Sequence, residues 1–152
     1  MASRPKVFIG CSTHGLEVAG ALQLLLEHSA NCQIWNQGLM DLSASIFDNL
    51  LSTLPRFEFA IFALTADDQV QQRDKSGMSP RDNVIFELGL FIGRLGPRRT
   101  FMVRPRNVNL LLPTDLLGVE AADYDPEDDN LASALGTAAT RIKWAITKSQ
   151  SH

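Results

Sequence analysis

The chain has 152 residues, 45% of them hydrophobic and 20% charged, with a formal net charge of −3. That is the size and make-up of one ordinary globular domain with enough apolar residues for a real core. The weak acidity and the absence of basic runs argue against a nucleic acid polymer as partner. No apolar stretch reaches the length of a membrane span, and the N-terminus lacks a signal peptide's apolar region.

Cys11 and Cys32 do not make a disulfide framework, so reduced thiols in a cytoplasmic protein are expected. The histidines lie far apart and His14-x-x-Glu17 is too sparse for a metal centre, so no metal is expected.

After a short polar lead, Lys6-Val7-Phe8-Ile9-Gly10 reads as a buried strand, and Cys11-Ser12-Thr13-His14-Gly15 as a small polar loop. Apolar residues at 16, 18, 19, 22, 24, 25 and 26 recur at helical spacing, which predicts a helix over 16–28. Cys32-Gln33-Ile34-Trp35 is a second predicted strand, followed by a turn at Asn36-Gln37-Gly38. Ser43 is placed to cap a helix through Ile46, Phe47, Leu50, Leu51 and Leu54, which Pro55-Arg56 ends. The nearly continuous apolar run over 57–65 suits a central parallel strand covered on both faces. A polar loop containing Asp67-Asp68, Arg73, Asp74 and Lys75 is expected over 66–78.

The next helix has both ends marked. Ser79 is placed to cap its first turn, and Pro80 fits the first helical position. Asp82 puts negative charge near the positive end of the dipole, and Gly96-Pro97 stops the helix. Between Val84 and Leu95 only Glu87 and Arg94 are neither apolar nor glycine. A carboxylate in the middle of such a helix is costly unless paired or used. Two readings stay open. Either Asn83, Glu87, Leu90 and Arg94 form a narrow solvated stripe, or Glu87 turns into a site. Glycines 89, 93 and 96 line another face, where close packing is expected to offset their poor helix propensity.

Thr100-Phe101-Met102-Val103 is the fourth predicted strand, and 105–118 is irregular with room for a short helix. A fifth strand is expected over 119–124, then an acidic turn at Asp125-Pro126-Glu127-Asp128-Asp129 and an amphipathic helix over 131–146. Residues 1–148 are expected to form a single domain, with a polar end over 149–152.

This alternation predicts an α/β three-layer sandwich with a five-stranded parallel sheet, flavodoxin-like order 2-1-3-4-5, and helices on both faces. Ligands of such sheets sit where the strand order switches, here between strands one and three. That point is lined by 10–14 and 64–68, and the Glu87 helix passes alongside. The loop 10–15 is either a phosphate cradle offering Ser12, Thr13 and backbone N–H groups, or a tight turn with a Ser or Thr cap. It is not a dinucleotide fingerprint and lacks the phosphate-loop lysine. Trp35 is either a stacking surface for a base or nicotinamide, or a core residue. Asp67-Asp68 either orient a ribose or hold Arg81, or lie in a solvated loop.

Three blocks carry a resemblance: Trp35-Asn36-Gln37-Gly38, Asp67-Asp68, and Arg81-Asp82-Asn83-Val84-x-Phe86-Glu87-Leu88-Gly89-Leu90-Phe91-x-Gly93-x-Leu95-Gly96. Together, across 6–124, they resemble the TIR-like domain of bacterial antiphage effectors. That domain is found in cyclic-oligonucleotide (CBASS) and cyclic-pyrimidine (Pycsar) defence systems and in bacterial STING–TIR fusions. The resemblance implies hydrolysis of NAD⁺ with release of nicotinamide, depleting the cell's NAD⁺, with Glu87 in the position of the family's catalytic glutamate. NAD⁺ is then the substrate and no cofactor is implied. It also implies self-association into oligomers or filaments on activation, and a cyclic nucleotide sensed by a separate domain for which this chain has no room.

The residues suit that chemistry. Nicotinamide is already a cationic leaving group, so one carboxylate near the anomeric carbon is the main requirement. Asn83, one turn before Glu87, is placed for the carboxylate or the ribose hydroxyls, and Arg81 for a phosphate or Asp68. Ser12, Thr13, Trp35, Asp68, Arg81 and Asn83 are therefore the candidate NAD⁺-binding residues around Glu87. Two other functions compete. Nucleoside deoxyribosyltransferases share this sheet type, and Asp82-x-x-x-x-Glu87-x-Gly89 faintly resembles their pattern. A non-enzymatic TIR adaptor that only self-associates would keep its signalling without Glu87. A response-regulator receiver fits poorly, because it wants acids where Gly10-Cys11-Ser12 stands.

Overall fold

The computed structural model describes residues 3–36 and 45–150. Its strands are β1 (Lys6–Cys11), β2 (Asn31–Asn36), β3 (Phe59–Ala63), β4 (Asp68–Gln72), β5 (Lys75–Ser79), β6 (Thr100–Pro105) and β7 (Glu120–Tyr124). Its α-helices are α1 (Leu16–Leu25), α2 (Ser45–Thr53), α3 (Asp82–Leu95), α4 (Leu131–Ala134) and α5 (Gly136–Gln150). Five strands make a parallel sheet in the order β2-β1-β3-β6-β7, and β4 pairs with β5 antiparallel. With that hairpin set aside, the order is the expected 2-1-3-4-5.

Side chains alternate across the sheet, so each strand feeds two cores. Val7, Ile9, Phe59, Ile61, Phe101 and Val103 meet α1 and α5 on one face. Phe8, Ala60, Phe62 and Met102 meet Leu50, Val84, Leu88 and Phe91 of α2 and α3 on the other. Every residue of β3 is buried, as a strand covered on both faces must be. Each large side chain so buried contributes roughly 1.5–3 kcal/mol. Gly10, near the end of β1, has a packing reason to be glycine. A Cβ there would lie 2.6 Å from Phe62 Cε1. No helix among the described residues is long and apolar enough to cross a membrane.

Several expectations are corrected. The stretch 66–78 is not a loop: β4 and β5 form a hairpin whose last pair is Gln72–Lys75. Ser79 does not cap α3. It closes that hairpin opposite Asp68, and its hydroxyl donates to the Pro80 carbonyl at 2.8 Å. The helix starts at Asp82 with Arg81 as its N-cap residue and no side-chain cap. Pro80 therefore lies before the helix rather than in its first position. Glycines 89, 93 and 96 are not in close packing, since a Cβ at any of them would meet nothing within 4 Å. Val84, Leu88 and Phe91 form the inward face, which turns Gly89 and Gly93 to solvent. Gly96 serves the helix end instead, with φ +88°. The final helix is divided: Asn130 caps α4 by accepting from the Ser133 N–H at 3.0 Å, and α5 begins after Leu135. Gln37, Gly38 and the Ser43 cap lie outside the described residues.

Candidate active site

The loops after β1 and β3 meet at the carboxyl edge of the sheet, and Asp67 joins them. Its Oδ1 accepts from Thr65 Oγ1 at 2.7 Å and Ser12 Oγ at 2.9 Å, and lies 2.9 Å from His14 Nδ1. A carboxylate only accepts, so Nδ1 carries the histidine's proton here. Its Oδ2 accepts the Arg81 backbone N–H at 2.8 Å. Burial opposes ionisation, but the bonds from Thr65, Arg81, Ser12 and His14 outweigh it and hold the carboxyl below its usual range. Ser12, His14 and Asp67 do not form a nucleophilic triad. In a triad the serine bonds the histidine, whereas here the Ser12 hydroxyl donates to the acid itself.

Glu87 is the opposite case. It is 2% exposed, and its Oε1 is buried without a hydrogen-bond partner. Burial alone pushes its carboxyl up to about 8. The solvated-stripe reading therefore fails for Glu87, although Asn83 and Arg94 on the same face are exposed. Its depth follows from packing. Phe91, one turn further along α3, has its ring 4.2 Å from Phe8. A helical turn rises about 5.4 Å and two strand residues about 6.6 Å, so Glu87 stands level with Gly10 at the end of β1. Consistent with that level, burial and then the charges of Glu87 and Asp67 push the Cys11 thiol up to about 11. The two environments push the carboxyls apart, so that in the free domain Asp67 is held as the anion while Glu87 keeps its proton.

The other candidates fall around this pair. Trp35 is half-buried and tilted against Phe8 at 5.8 Å between centroids, so it is partly a core residue. Its Nε1 is also buried without a partner. Asp68 holds Arg81, at 3.3 Å, with both side chains about half exposed. Asn83 is exposed on the first turn of α3, and Thr13 is exposed in the turn Thr13–Gly15. Ser12 is 3% exposed, with its hydroxyl committed to Asp67. That geometry favours the tight turn over an open phosphate cradle, because a carboxylate lies beneath the loop. Sequence reasoning gave no role to Thr65 or His14 and chose Asp68 over Asp67. The available signal was the Thr65-x-Asp67 spacing just past the end of β3, at the switch point.

A doubly wound parallel sheet in the order β2-β1-β3-β6-β7, with its switch point at β1 and β3, defines a flavodoxin-like α/β domain. A flavodoxin-like domain from Synechococcus superposes with a TM-score of 0.52 at 10% identity, covering 93% of this chain and 99% of that one, which speaks for the fold alone. The family described as CAP12/Pycsar effector protein, TIR domain, matches residues 6–126. The Pycsar effector protein PaPycTIR of Pseudomonas aeruginosa is 39% identical over 145 residues, 93% of this chain and 47% of that protein. CD-NTase-associated protein 12 of Flavobacterium daejeonense is 41% identical over 122 residues, 80% of this chain and 39% of that protein. The chain belongs to the CAP12/Pycsar effector TIR-domain family. It spans less than half the length of these relatives.

Proposed function

We propose that this domain hydrolyses NAD⁺ at the nicotinamide–ribose bond, as the effector part of a cyclic-nucleotide-activated antiphage system. One observation carries the proposal: the buried Glu87 carboxyl, with an unpartnered oxygen, near enough to Cys11 at the end of β1 for its charge to raise that thiol. A buried acid without a partner is costly to folding, and a function that uses it explains why it is kept.

The chemistry needs little else. The bond between the ribose anomeric carbon and the pyridinium nitrogen breaks, its electron pair leaves with nicotinamide, and nicotinamide departs neutral. Water adds to the anomeric carbon and loses a proton, leaving ADP-ribose. Glu87 as the anion stabilises the oxocarbenium-like transition state or attacks it. In the free domain Glu87 is largely protonated near neutral pH, because burial raises its carboxyl to about 8. The cationic pyridinium of arriving NAD⁺ favours the anion, so substrate binding charges the group it needs. The unpartnered Trp35 N–H is a donor for the nicotinamide amide, and the exposed Asn83 and Arg81 suit ribose hydroxyls and phosphate.

The greater length of the relatives leaves room for a separate domain that senses the cyclic nucleotide. The exposed rings of Phe47 and Phe86, 6.0 Å apart, with Leu51 beside Phe47's helix face, support self-association through α2 and α3. The test is nicotinamide release by the full-length protein with its activator. Glu87→Gln is expected to lose about 100-fold or more. Normal turnover in that variant would overturn the assignment, and base exchange between deoxynucleosides without NAD⁺ loss would move the activity to deoxyribosyl transfer.

A further inference from the structure

We infer that Asp67 is the positioning residue of this site: its buried carboxylate fastens the loop after β1, the exit of β3 and the start of α3 together, and so holds Glu87 in place. The inference rests on Glu87 being the reacting group.

The Asp67 side chain is 1% exposed. Its Oδ1 gathers Ser12, His14 and Thr65, and its Oδ2 takes the Arg81 N–H. Its own backbone N–H donates to the Ser79 carbonyl at 3.0 Å. The hairpin β4–β5 therefore leaves and returns through one residue. The N-cap residue of α3, Arg81, makes no side-chain cap, although Asp82 in the first turn accepts the Asn83 N–H at 2.7 Å. Asp67 thus adds, from across the fold, an acceptor for the N–H of the N-cap residue itself and a second negative charge near the start of the helix. Glu87 lies six residues beyond Arg81 on the helix, so the anchor at Arg81, together with the Phe91–Phe8 contact one turn past Glu87, fixes where the Glu87 carboxyl stands over β1. Asp67 itself is enclosed, with both oxygens engaged. It acts through Glu87 rather than on substrate.

The experiment uses the full-length protein with two readouts: amide hydrogen exchange, and nicotinamide release from NAD⁺ with the activator present. For Asp67→Ala, exchange is expected to rise at 12–15 and at Arg81 through the first turn of α3, with β1 and β3 still protected. The kcat is expected to fall about tenfold or more, the size of one charge-assisted hydrogen bond, with KM for NAD⁺ changed far less. Asp67→Asn is the rescue. Its amide oxygen can accept from Arg81 while its NH₂ donates to the Ser12 and Thr65 oxygens, so most of the kcat should return. Unchanged exchange at Arg81 together with unchanged kcat in Asp67→Ala would overturn the inference, as would protection lost evenly over the whole sheet. If Asp67→Ala does not fold, Thr65→Val removes the shortest bond and should raise exchange at the same segments; no change there also overturns it. If exchange responds as stated but the wild-type protein releases no nicotinamide, the clasp stands and the NAD⁺ reading falls.

Discussion

The Phe91 ring packs against Phe8 at 4.2 Å between centroids, and this contact sets the depth at which Glu87 lies one turn away. Phe91 is fully buried and also meets the rings of Phe57 and Phe62. Replacing it with alanine opens a cavity between α3 and the sheet. Urea unfolding should show a loss of roughly 3–5 kcal/mol.

Glu87 makes stability depend on pH with a definite sign. Its carboxyl is raised from 4.5 to about 8, so the folded domain holds a proton that the unfolded chain releases in that range. The stabilisation is therefore complete below about 4.5 and is lost as pH rises through about 8. Urea unfolding from mildly acidic to mildly alkaline pH should show wild type losing stability relative to Glu87→Gln, by ~1.4 kcal/mol for each pKa unit of the shift. Parallel pH curves for the two proteins would contradict the burial argument.

Trp35→Phe removes the indole N–H together with part of the ring that packs on Phe8. The N–H is buried and unpartnered in the free protein, so its removal leaves a buried donor fewer to satisfy. The lost packing offsets the relieved donor, so thermal stability should stay close to wild type, while KM for NAD⁺ rises several-fold. A lower melting temperature with KM unchanged would make Trp35 a packing residue only.

Gly10→Ala tests the crowding at the end of β1. The added methyl would meet Phe62 Cε1 at 2.6 Å and Phe8 Cε1 at 3.0 Å. Phe62 is fully buried and cannot retreat, so the cost should be about 1–3 kcal/mol. Phe62→Leu in the same chain should recover part of it, which a double-mutant cycle of melting curves measures.

Element order and the two cores were readable because they rest on local spacing. The run 57–65 and the 84, 88, 91 spacing of α3 each declare their buried faces without help from distant residues. The hairpin was not readable. Only Val70 and Met78 are large and apolar in its strands, and its turn places Arg73, not glycine, at φ 54°. It is held from outside, by Met78 N–H to the Asn109 carbonyl at 3.4 Å and Leu111 N–H to the Met78 carbonyl at 2.8 Å. Ser79-Pro80 carried a sound local capping signal that lost to the distant Asp67 carboxylate, which already held the Arg81 N–H.

By itself the chain determined the sheet, its switch point and a glutamate among apolar neighbours, since side-chain periodicity and helix stops act over a few residues. Only the tertiary structure decided that this glutamate is enclosed and unpaired, and that Asp67 rather than Asp68 gathers the loops. Asp67's partners Ser12, His14 and Arg81 stand 55, 53 and 14 residues away, and no local pattern encodes a hydrogen bond across such separations.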